Sequence, residues 1–94
     1  MQVKAKILYG YANEDGTWAI EPIFDEAYNF SRENPIAIVR VGDKWRFIDK
    51  KGNFVTTYLY DEIAVNFYNG IAVVKLDGKW GEVNEQGEFS ETIK

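Results

Sequence analysis

The chain has no cysteine and no histidine. Without cysteine there is no disulfide and no thiolate zinc site. Without histidine the usual general base at neutral pH is missing, and so are the common nucleophile dyads. Its two serines, Ser31 and Ser90, therefore have no imidazole to activate them. No apolar run approaches the roughly 20 residues a membrane-spanning helix needs. The opening "MQVKAKILYG" is broken by Lys4 and Lys6 and lacks the shape of a signal peptide. These features predict a soluble, cytoplasmic chain. Basic charge is also short, 11 residues against 15 acidic, a net of −4. A nucleic-acid ligand would want a basic face, so the balance argues against one and favours a cationic partner.

At 94 residues the sequence predicts one domain over residues 1–94. Apolar residues make up 46% and aromatics 16%, too much for a disordered chain. Helical periodicity is poor, and β-branched and aromatic residues crowd the periodic runs.

The chain repeats itself. Trp45 and Trp80 are 35 apart, as are Gly52 and Gly87, and "IAIV" at Ile36 to Val39 returns as "IAVV" at Ile71 to Val74. The acidic pairs Asp25-Glu26 and Asp61-Glu62 are 36 apart, and "NF" recurs one residue out of step at Asn29-Phe30 and Asn66-Phe67. Three copies align: Tyr9 with Trp45 and Trp80, Tyr11 with Phe47 and Glu82, and Asn13 with Asp49 and Asn84. Gly16 aligns with Gly52 and Gly87, and Trp18 with Phe54 and Phe89. The pattern predicts an all-β fold of antiparallel hairpins with a period of 35–36 residues. It has two full units, partial units at the ends and an insertion near Ser31 to Pro35.

Asp77-Gly78 predicts a type I′ hairpin turn, and Gly42-Asp43 a type II′ turn with glycine first. Gly16, Gly52 and Gly87 suit the left-handed position of longer loops. Val3, Ala5 and Ile7 alternating with Lys4 and Lys6 predict an edge strand guarded by lysines. "DEAYNF" after Asp25 reads as either a helical turn or a loop between hairpins. One unit cannot bury its own apolar face, so units must cover one another. Trp45 and Trp80 are then expected to pack between units.

"GDKWRFIDKKGNFV" and "DGKWGEVNEQGEF", each preceded by an "IAIV"-like strand, resemble the bacterial WG repeat, also called the KWG repeat. Lys79-Trp80-Gly81 carries the motif intact; Arg46 replaces its glycine in the middle copy, and Tyr9 replaces its tryptophan in the first. "AIEPIFDEAYNF" resembles the family's Pro-containing link, whose proline is Tyr58 in the second copy. The resemblance spans nearly the whole chain. It implies a β-repeat scaffold with no shared catalytic residues and no cofactor.

The paired carboxylates could in principle do glycosidase chemistry. They recur at the repeat period, which points instead to a local job such as capping a turn. "NEDG" and "NEQG" lack the ligand spacing of a calcium loop and read as turns. No metal site is expected. The candidate partner-binding residues are acidic and C-terminal: Asp77, Glu82, Glu85 and Glu88, followed by Glu91, with Trp18 as a possible exposed anchor. Glu82 stands where the other copies have aromatics, which also suits a polar end cap. The expected function is non-enzymatic protein binding, most specifically immunity to a cationic toxin such as a nuclease. The alternative is a carbohydrate- or envelope-associated scaffold module.

Overall fold

The computed structural model describes residues 7–30 and 34–92, and among these it has nine strands and no helix. They are β1 (Tyr9–Ala12), β2 (Trp18–Phe24), β3 (Glu26–Ala27), β4 (Ala37–Val41), β5 (Lys44–Ile48), β6 (Glu62–Tyr68), β7 (Ile71–Leu76), β8 (Lys79–Asn84) and β9 (Phe89–Glu91). All pairings are antiparallel, in three sheets ordered β1-β2, β3-β4-β5 and β6-β7-β8-β9. The alternating segment Val3 to Lys6 and the insertion residues 31–33 lie outside the described residues.

The hairpins form where the turn chemistry asks for them. Val41 pairs with Lys44 across Gly42-Asp43, and Leu76 with Lys79 across Asp77-Gly78. Asp77 and Gly78 both have positive φ, 50° and 81°, as a type I′ turn requires, whereas at the other turn Gly42 does, 66°. A third tight turn, Asn69-Gly70, joins β6 to β7 with φ of 53° and 83°. Strand rather than helix follows each acidic pair, since β3 begins at Glu26 and β6 at Glu62.

The repeat holds bond for bond. Ala12 pairs with Trp18, Ile48 with Phe54 and Val83 with Phe89. Each of these pairs closes a loop in which a glycine N–H donates back to Asn13, Asp49 or Asn84. Tyr9 pairs with Phe24 as Trp45 pairs with Tyr60, one period on. The out-of-step "NF" has a physical cause: the register of β6 against β7 shifts between Ile63 and Val65, so one extra residue is absorbed by a bulge.

The acidic pairs do structural work. Asp25 Oδ2 accepts the Gly42 N–H at 2.6 Å, and Asp61 Oδ2 accepts the Gly78 N–H at 2.8 Å. Each aspartate thus holds the hairpin turn of the strands that follow it. Asp61 also takes the Lys44 ammonium, which ties the second sheet to the third. Glu26 pairs with Arg40 at 2.8 Å, and Glu62 with Lys75 at 3.7 Å.

Apolar side chains gather in two clusters built from equivalent positions. One joins Ile20 and Phe24 to Ala37, Val39 and Ile48, with Tyr11 and Phe30 at its side. The other joins Phe47 and Tyr60 to Phe67, Ala72, Val74 and Val83. Ala37 and Ile48 face the first cluster while Ile36 and Phe47 face the second, so the middle sheet is covered on both faces. The radius of gyration is 14.7 Å, against roughly 12 Å for a compact chain of this length. That elongation is what quasi-one-dimensional repetition gives.

One buried position changes its chemistry between copies. Phe24 and Ile20 of the first cluster become Tyr60 and Thr56 in the second. Thr56 is only 3% exposed, and the Tyr60 hydroxyl donates to its Oγ1 at 2.8 Å. The added phenol is tolerated because the aliphatic residue beside it became a hydroxyl as well.

Candidate protein-binding face

The site begins with the glycine that follows the motif tryptophan. A Cβ on Gly10 would lie 2.6 Å from the Ile20 carbonyl oxygen, and one on Gly81 would lie 2.7 Å from the Phe89 ring. The returning strand crosses directly over this position, so only glycine fits beneath it. In the middle copy Arg46 occupies it. Its guanidinium carbon sits 3.4 Å from the Phe54 ring centroid, and Nη2 donates to the Thr56 carbonyl at 3.4 Å. The crossing chain breaks register here in both copies: β2 shifts against β1 between Tyr9 and Tyr11, and beside Arg46 its counterpart meets β5 only through isolated bridges at Phe54 and Tyr60.

The tryptophans divide. Trp45 is partly buried against the second cluster, stacked on Tyr28 at 5.9 Å with 9° between the rings, and Arg40 lies 5.8 Å above its ring. Trp80 is 41% exposed, which corrects the expectation that both would be core. The reason is in the sequence around it. Val65, opposite Val73 as Tyr28 is opposite Ile38, stands where Tyr28 supplies the stacking ring, and among the described residues no further unit lies over this sheet.

This leaves a face of the third sheet open. Val65, Val73, Glu82 and Ser90 form one row across the strands, and Glu62, Lys75 and Trp80 form another. The opposite face carries Ala72, Val74 and Val83 into the core. On the middle sheet the position matching Glu82 is Phe47, fully buried with its ring 4.7 Å from Phe67 and 5.5 Å from Tyr60. On the third sheet Ile71, Val65 and Trp80 reach solvent, and Glu82 replaces the buried aromatic. A concavity of about 570 Å³ lies here, lined by Val73, Lys79, Trp80, Glu91 and Thr92.

The acidic candidates do not form one cluster. Glu82 is central on the open face. Asp77 lies in the turn before β8, whereas Glu85 and Glu88 lie in the loop after it, roughly 17 Å away along a six-residue strand. Glu88 accepts from the Asn84 amide at 2.7 Å and braces its own loop. Lys79 approaches Glu91 to 3.9 Å. Trp18 is 51% exposed but belongs to the first sheet, and the structure does not bring it to the glutamates. The exposed apolar side chains Trp80, Ile71 and Val65 were missed as candidates. The Tyr28-to-Val65 change between copies, aligned through the slipped "NF", was the signal that could have found them.

The WG containing repeat matches the chain twice, over residues 9–45 and 45–80. The chain belongs to the WG-repeat family. The matches meet at Trp45 and end at Trp80, so each runs from one motif aromatic to the next. The open face of the third sheet lies mostly within the second match, with Glu82 and Ser90 beyond its end. No curated protein and no solved structure matches the chain.

Proposed function

We propose that this WG-repeat chain is a non-enzymatic protein-binding module that engages its partner through the open face of the third sheet. The observation that carries this reading is the pair Phe47 and Glu82. The same repeat position is buried under a neighbouring unit on one sheet and is an exposed carboxylate among apolar side chains on the next. Trp80, Ile71 and Val73 supply contact area, and an exposed tryptophan is the residue type most enriched among interface hot spots. Glu82 has no ion-pair partner among the described residues, so the face suits a partner that brings a cation. With a net charge of −4, encounter with a basic protein is electrostatically favoured. The specific reading is a cytoplasmic bacterial immunity protein that covers the substrate groove of a basic toxin such as a nuclease.

The test uses the parent chain and Trp80→Ala as baits in extract of the native host. Proteins held by the parent are identified, purified and assayed for toxicity with and without the chain. The expected result is a basic partner, lost from Trp80→Ala, whose activity is abolished at one-to-one stoichiometry. An acidic partner, or one held equally by both baits, contradicts the reading.

A further inference from the structure

A pocket of about 460 Å³ lies at the end of the third sheet, away from the Trp80 concavity. It forms where the Asn69-Gly70 turn, the loop after β8 and the segment Asn34 to Ile36 come together. Its volume falls in the range of specific ligand sites. Its walls are held firmly. Asn34 Nδ2 donates to the Phe67 carbonyl at 2.9 Å, and its Oδ1 accepts the Ile36 N–H at 3.0 Å. Asn66 Nδ2 donates to the Ile36 carbonyl at 3.0 Å. Two asparagines thus pin the segment after the insertion to β6.

The lining has three kinds of chemistry. Ile36, Phe67 and Pro35 are apolar, and Ile36 and Phe67 are nearly buried. Tyr68 exposes 74% of its surface at the pocket. Glu85 brings a carboxylate, and among the described residues it has no ion-pair partner and no cationic side chain lines the pocket. An anion would be repelled here. A purely apolar group would strip water from Glu85 and give nothing back. A ligand with an apolar stem and a planar cationic head satisfies all three surfaces. The stem covers the apolar wall, the head pairs with the carboxylate in a fork, and the plane stacks on the tyrosine.

We propose that this pocket receives an arginine side chain of the partner protein. The proposal rests on the reading that the partner is a basic protein. It adds a second contact, remote from Trp80, that fixes the partner's orientation on the sheet. It also gives Glu85 a role separate from Glu82 and Glu88.

The test is a titration followed by amide correlation spectra. The probes are an acetylated, amidated glycine peptide with one central arginine, the same peptide with neutral citrulline, and free arginine. The expected result is saturable shifts at Tyr68, Asn69, Gly70 and Glu85 with the arginine peptide. Binding should weaken at least about tenfold with citrulline, because the charge-assisted fork is lost. Glu85→Gln and Tyr68→Ala should weaken it similarly, with spectra that otherwise match the parent. Shifts confined to Val73, Trp80 and Glu82 overturn the pocket and leave the binding face standing. Equal affinity for citrulline overturns the ionic recognition, and tighter binding of free arginine overturns the assignment to a protein partner. Absence of shifts also overturns the pocket. The reading beneath it fails separately, when the captured partner proves not to be basic.

Discussion

The Thr56–Tyr60 hydrogen bond can be dissected with a substitution pattern the protein itself supplies. Both residues are buried, and the Tyr60 hydroxyl reaches Thr56 Oγ1 at 2.8 Å. Thr56→Val keeps the shape of the side chain and removes the acceptor. The Tyr60 phenol is then buried without a partner, at a cost of about 1–3 kcal/mol. Tyr60→Phe strands the threonine hydroxyl in the same way and costs about 1–2 kcal/mol. Thr56→Val with Tyr60→Phe removes both polar groups and approaches the Ile20 and Phe24 pair of the first cluster. The double variant should lie within about 1 kcal/mol of the parent, since deleting both partners of a buried pair can be nearly neutral. The coupling between the sites, the sum of the two single losses less the double's loss, is then at least about 1 kcal/mol. In a domain of this size each kcal/mol moves Tm by roughly 4–8 °C, so the singles should melt clearly below the double. Urea unfolding followed by tryptophan fluorescence supplies the free energies. If the two single losses simply add in the double variant, the phenol and the threonine do not depend on each other. The comparison of the two clusters would then be wrong.

Trp45→Ala should cost about 2–3 kcal/mol, below the range for a fully buried indole, and Trp80→Ala less than about 1.5 kcal/mol. Equal losses in denaturant melts would contradict the difference in their cover. Arg46→Gly removes the side chain that parts β5 from the returning segment. Hydrogen exchange at residues 55–59 should slow at least about tenfold; unchanged exchange would show that the arginine does not cause the gap. Asp61 has its carboxyl held below the ordinary value of 3.8 by the Lys44 ammonium and by the Gly78 N–H. Its contribution is therefore present above about pH 4 and is lost as pH falls through the lower folded value. Asp61→Asn should flatten the acid limb of a stability-against-pH curve, and an unchanged limb would show that the latch adds nothing.

The sequence carries the periodic parts of this fold because each rests on local chemistry. Glycines at the three loops, Asp77-Gly78 and Gly42-Asp43 each demand a particular backbone geometry, and the structure adopts it. Asn69-Gly70 is an equally local turn signal, but the repeat gives it no twin, because the insertion near Ser31 to Pro35 takes its place in the first unit. The bulge at Val65 was visible only as a one-residue slip in "NF". The fate of Trp80 was not legible from its own position. Alignment with Trp45 gives the same strand and the same side of the strand, but burial depends on what lies above, and Val65 at the Tyr28 position supplies no ring. The acidic residues were legible as charge but not as a surface. Residues eight apart on a β-hairpin arm sit at opposite ends of it, and Trp18 lies on another sheet. Arg46 shows the converse, a single departure from the motif whose effect falls on the strand that crosses it.

The most direct test of the open face is the association rate of the purified partner with the parent and with Glu82→Gln, measured by stopped-flow at low and high salt. Gln keeps the shape and removes the charge, and stability should stay within about 1 kcal/mol because Glu82 is exposed. If the face is the interface, the variant should associate several-fold more slowly at low salt, and the difference should shrink as salt rises, since steering acts on the on-rate and is screened. Trp80→Ala should instead speed dissociation by at least about tenfold, the usual signature of losing a central aromatic contact. Unchanged rates for both variants would place the partner elsewhere and leave the open face as a polar cap.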